Sequence, residues 1–151
     1  MFLIARQIAL KKNRSKVKTA LLPLSCIKKA FVLLDSTGQD YVHAKKNVKE
    51  FFEGHGIEVD ILAPGKKDLD LLHRIKKKYR IIRDEDLFLS LYPINRFEAE
   101  YEAKCSGAKF KIGRYPFREP VFDLIVHNRE NEYPEQWEVF ESIKDLLEKI
   151  K

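Results

Sequence analysis

Cysteine is scarce in this chain: Cys26 and Cys105 are the only two in 151 residues. They form no CxxC pair, which excludes a zinc knuckle and a dithiol redox motif. A reducing compartment is the expectation. Long apolar runs are missing as well, so no transmembrane segment is expected. The opening MFLIARQIAL is a poor secretory leader. Its apolar run is broken by Arg6 and Gln7, and its positive charges follow rather than precede it. A cytoplasmic location is therefore expected. Glycine-rich loops are absent, because the single Gly38 falls short of both the dinucleotide fingerprint and the P-loop. No serine or cysteine occupies a nucleophile motif. His43, His55 and His73 have no second ligand at metal spacing. The sequence thus names no catalytic residue, no metal site and no cofactor. It has no internal repeat and no low-complexity tract.

Acid is missing from one region. Residues 1–29 hold Arg6, Lys11, Lys12, Arg14, Lys16, Lys18, Lys28 and Lys29 and neither Asp nor Glu. Against a net charge of +6, those eight positive charges leave the rest of the chain at about −2. The body is therefore no basic nucleic-acid platform. Any contact with nucleic acid or a membrane surface is confined to residues 6–18, through Arg6, Lys11, Lys12, Arg14, Lys16 and Lys18.

What is present is the material of one folded domain. The chain is 44% hydrophobic and 34% charged. It is long enough to bury a core without disulfide or metal staples. The segment Ala30 to Leu62 reads as strand, turn, amphipathic helix and strand, which is a βαβ unit. Ala30–Leu34 is a continuous apolar run, as in a central parallel strand. Tyr41 to about Glu53 places Tyr41, Ala44, Val48, Phe51 and Phe52 at helical spacing. Further strands are expected at Ile57–Leu62, Asp86–Leu91, Phe110–Ile112 and Val121–Val126. Helices are expected over Met1–Thr19, with Phe2, Ile4 or Ala5, Ile8 and Ala9 on the packed side, over Lys66–Tyr79, and from Pro134 to Lys151. FEAEYEAKC, Phe97 to Cys105, alternates with period two like a strand but has helical composition. Helix is chosen, since parallel strands need a crossover. The expected fold is a single Rossmann-like or flavodoxin-like α/β domain over residues 30–151, with a mostly parallel sheet of about five strands flanked by helices. A basic helical extension, residues 1–29, precedes it.

The segments KKAFVLLDSTGQDYVHAKKNVKEFF, IEVDIL, DLFLSLYP and SGAKFKIG, in that order, resemble the amino-terminal half of lipopolysaccharide heptosyltransferase-like glycosyltransferases. The resemblance covers roughly residues 28–113. The chain also resembles, over nearly its whole length, short bacterial proteins that share the D-L-F-x-S-L and A-K-F-K-I-G segments and bring no known activity with them. The glycosyltransferase resemblance implies a Rossmann-like half with an acid after the loop glycine as catalytic base. Here that position is Gln39, an amide that cannot accept a proton at neutral pH. It also implies a second, sugar-nucleotide-binding domain, which these 151 residues do not contain. Catalysis by this chain alone is not expected.

In a parallel sheet the residues after the strands converge on one edge. Here they are Asp35, Ser36, Thr37, Gly38 and Gln39, then Tyr92 and Asn95, then Arg114, then His127 and Asn128. The set is polar enough to grip a small anionic ligand. The turn at Gly38 opens a helix whose free N–H groups attract anions, while Asp35 and Asp40 repel them. Ser36, Thr37 or Asp40 would alternatively cap that helix. Arg114 would clamp a phosphate or carboxylate, or pair with Glu119 or another acid. Three functions stay open: a non-catalytic binding or interaction module that pairs with itself or another protein, a small enzyme or binder of a nucleotide or phosphorylated ligand, and association with nucleic acid or anionic membrane through the basic extension.

Overall fold

The computed structural model describes residues 3–76, 84–126 and 135–150. Within them the strands are β1 (Lys29–Leu33), β2 (Glu58–Leu62), β3 (Leu87–Ser90), β4 (Phe110–Gly113) and β5 (Leu124–Ile125). The helices are α1 (Leu3–Asn13), α2 (Tyr41–Gly54), α3 (Phe97–Cys105) and α4 (Gln136–Lys149). All five strands run parallel in the order β2-β1-β3-β4-β5. After β1 the chain moves outward to β2, then crosses back to β3 on the other side of β1. The crevice between the carboxyl ends of β1 and β3 is therefore the topological switch point.

Alternation within the strands builds two cores. Ala30, Val32 and Leu34 share one face with Leu87, Leu89, Leu91, Phe110 and Ile112. That face is covered by α2, through Ala44, Val48 and Phe52, and by α4, through Val139, Phe140, Ile143 and Leu147. The opposite face carries Phe31, Leu33 and Phe88 and is covered by Ala99 and Ala103 of α3 together with Ile75 and Phe117. Register aligns Phe31, Phe88 and Lys111 in one row across this face. Phe31 and Phe88 stack with ring centroids 5.9 Å apart.

The Phe97–Cys105 helix is present, and its odd periodicity has a cause. One side of α3 rests on the sheet and the other receives α1, so residues all round it are buried: Glu98, Ala99, Tyr101, Glu102, Ala103 and Lys104. A helix covered on two sides has no single apolar stripe.

Three expectations are corrected. The Lys66–Tyr79 helix does not form over the part of it that is described, residues 66–76. A single 3-10 turn, Lys66–Asp68, is followed by an antiparallel bridge between Leu69 and Ile75. Aspartates cause this. Asp68 accepts the Gly65 N–H at 2.8 Å, and one oxygen of Asp70 accepts the N–H groups of Leu72 and Arg74, each at 2.9 Å. Such side-chain bonds offer the backbone an alternative to a helix. His73, at φ 62°, completes the turn. The β5 strand is confined to Leu124–Ile125; just before it the Lys111 N–H bonds the Asp123 carboxylate, at 2.8 Å, in place of a backbone ladder bond. The first helix stops at Asn13 instead of Thr19. There the Asn13 amide donates to Ala9 C=O (3.0 Å) and to the Tyr101 hydroxyl (2.8 Å), while Ser15 N–H bonds Lys104 C=O. Its packed side also differs at Ile4 and Ile8, which face outward, while Arg6, Leu10 and Asn13 face α3; Phe2 lies outside the described residues.

Candidate functional site

The loop after β1 is built around Asp35, which is buried. Its carboxylate accepts both the Thr37 N–H (3.0 Å) and the Thr37 hydroxyl (2.7 Å), and its C=O accepts the Gly38 N–H. This is a closed Asx turn. The Ser36 hydroxyl donates to Pro64 C=O at 3.0 Å, tying the loop to the end of β2. Neither hydroxyl caps α2.

Gln136, the first residue of α4, completes the loop. Its side-chain oxygen accepts the Asp35 N–H at 2.8 Å, and its amide donates to Asp35 C=O at 2.9 Å. That amide lies so close to Gly38 that a methyl group there would stand 2.6 Å from it. The space beside the only glycine of the turn is therefore filled by protein. Asp40 serves the same junction, accepting the Trp137 N–H at 2.9 Å. It caps α4 from across the domain, whereas its own helix α2 has no side-chain cap.

Tyr92 follows β3 and is buried. Burial, with the carboxylates of Glu98 and Asp35 nearby, raises its hydroxyl pKa well above the usual tyrosine range. Arg114 follows β4 and is also buried. Its guanidinium donates to Leu91 C=O at 3.2 Å. Burial lowers its pKa, and Asp40 and Asp35 oppose the shift. Of the acids offered for Arg114, Glu119 is engaged elsewhere: it meets Arg14 at 2.6 Å and Lys104 at 3.4 Å. Gln39 and Asn95 are exposed on the same edge. His127 and Asn128 lie outside the described residues. The structure thus brings Asp35, Ser36, Thr37, Gly38, Tyr92 and Arg114 to one edge, with most of their polar groups bonded inward.

Sequence reasoning missed Gln136. The signal was present: it stands on the same helical stripe as Val139, Phe140 and Ile143, where a polar residue has to find a buried partner. Glu98 was missed for a similar reason, since a buried carboxylate on a doubly covered helix breaks no simple pattern.

The basic extension divides into two sets. Arg6 lies over the Phe97 ring, 5.2 Å from its centroid, and Arg14 pairs with Glu119. Lys11, Lys12, Lys16 and Lys18 are exposed. Beside α1 runs a groove of about 880 Å³, whose lining includes Leu3, Ile4, Ile8, Lys104, Arg118 and Glu119. Among the described residues no helix is long and apolar enough to cross a membrane, and no cluster of His, Cys, Asp or Glu has the makings of a metal site.

No protein-family model, no curated protein and no solved structure matches the chain.

Proposed function

We propose that this chain is a non-catalytic α/β interaction module of the cytoplasm, related to half of a heptosyltransferase-like glycosyltransferase and acting by pairing with itself or with a partner. One observation carries the reading: Gln136 holds both backbone polar groups of Asp35 and fills the space beside Gly38. In a doubly wound sheet this loop at the switch point is where a phosphate would approach backbone N–H groups. Here a neutral side chain stands in that place, flanked by the carboxylates of Asp35 and Asp40. The amide at Gln39 points the same way, because the position where the resemblance expects a base cannot take up a proton.

Thermal unfolding against a panel of nucleotides, sugar nucleotides and sugar phosphates tests the reading. A compound that binds the native state raises the midpoint in proportion to its occupancy. No compound should produce a saturable shift. A saturable shift that is lost in Gln39→Ala, an exposed position that leaves the core intact, would establish a ligand site at the edge and overturn the reading.

A further inference from the structure

From the geometry of α1 we infer that the exposed side of residues 3–18 docks on an anionic lipid surface. The inference rests on the module reading and supplies what that reading does not name, the surface the module engages.

The first support is the orientation of the helix. In a short helix packed on a domain the apolar side chains normally face inward. Here Leu3, Ile4 and Ile8 are 69%, 75% and 62% exposed, while the inward positions are Arg6, Leu10 and Asn13. The inward contacts are specific: a cation over an aromatic ring, a buried leucine, and an amide bonded to Tyr101. They fix the rotation of the helix, so its apolar residues are presented outward.

The second support is charge complementarity. Lys11, Lys12, Lys16 and Lys18 follow the apolar residues directly, all exposed, in a stretch without a single acid. The acids that line the groove, Glu100 and Glu119, are already paired with Lys104 and Arg14. Apolar side chains that enter the headgroup region beside lysines that meet lipid phosphates describe an interfacial helix. A nucleic-acid backbone would use the lysines and leave Leu3, Ile4 and Ile8 in water, so the apolar residues favour lipid.

Co-sedimentation of the full chain with vesicles tests this. The probes are vesicles of phosphatidylglycerol and phosphatidylcholine in equal parts, vesicles of phosphatidylcholine alone, and a duplex DNA. The protein should bind the anionic vesicles, release them as salt rises, and ignore the neutral ones. Lys11→Gln with Lys12→Gln should weaken binding about fivefold per lysine. Ile4→Asn with Ile8→Asn should weaken it about tenfold or more, with the unfolding midpoint unchanged. Absence of vesicle binding, or vesicle binding indifferent to Ile4 and Ile8, would overturn the inference. So would binding to the duplex alone that needs Lys11 and Lys12. A failure here leaves the ligand panel silent and the module reading standing, whereas a ligand shift in that panel sinks the module reading without touching the vesicle result.

Discussion

The carboxyl edge of the sheet and the outer side of α1 differ in how they treat their side chains. At the edge, polar residues that a sequence reader would assign to a ligand are bonded to the protein itself. Asp35 folds its own turn, Ser36 ties that turn to Pro64, and Asp40 caps a distant helix. On α1, apolar residues that the same reader would assign to the core stand in water. Side-chain type alone therefore does not say, in either region, which groups the fold itself satisfies. What separates them is whether a partner for each group already exists within the fold.

The largest effect is expected from breaking the edge. Gln136→Ala orphans the buried Asp35 N–H and takes one of the two bonds to the Asp35 C=O, which keeps the Gly38 N–H. The orphaned N–H costs about 1–3 kcal/mol and the second lost bond about 1 kcal/mol, so urea unfolding should show a loss of about 3 kcal/mol. A change under about 0.5 kcal/mol, the usual range for a surface substitution, would mean that the loop is not held shut by Gln136.

Lysine offers a second comparison, since Lys111 is buried on the sheet while Lys11 and Lys12 are exposed. Burial lowers the Lys111 pKa to about 8, against the attractions of Cys105 and Asp123. The folded value lies below the unfolded value of about 10.4. Below pH 8 both states hold the proton, and the folded state carries the whole burial cost. From about pH 8 to 10.4 the folded chain has released the proton that the unfolded chain keeps, so stability rises with pH. Lys111→Met should therefore stabilise the protein by about 2 kcal/mol at neutral pH. It should also remove that rise, measured as the difference from wild type. Lys11→Met should do neither.

The smallest effects separate the two sides of α1. Leu10→Ala, on the packed side, should cost about 2 kcal/mol. Ile8→Ala, a few residues away on the exposed side, should stay within about 0.5 kcal/mol. Equal costs would mean that α1 packs with a different rotation. That would remove the basis for a lipid-facing surface.

Much of the fold was legible because strand signals were strong and local. The runs at Ala30 and Leu87 are apolar on both faces, as buried parallel strands tend to be, and the Phe110 run keeps one apolar face while the other carries the buried Lys111. The Tyr41–Gly54 helix announced itself through Ala44, Val48 and Phe52. The failure at Lys66–Ile75 came from two aspartates whose backbone bonds outcompete a well-spaced leucine pattern. The inverted face of α1 was not legible, because its rotation depends on the Phe97 ring and the Tyr101 hydroxyl, far away in sequence. Of the edge residues, Asp35, Tyr92 and Arg114 were placed correctly in space. Their partners were not foreseen, since Gln136 lies 101 residues beyond Asp35.

The closed edge is tested most directly by amide hydrogen exchange at Asp35 and Thr37 in the wild-type protein. The Asp35 N–H is held by Gln136 of α4 and the Thr37 N–H by the Asp35 carboxylate. Asp35 should exchange only through global unfolding, at the rate of the β1 amides, and should lose that protection in Gln136→Ala. Wild-type exchange of Asp35 at the rate of an exposed loop would show the turn open and free to meet a ligand, and would contradict the account.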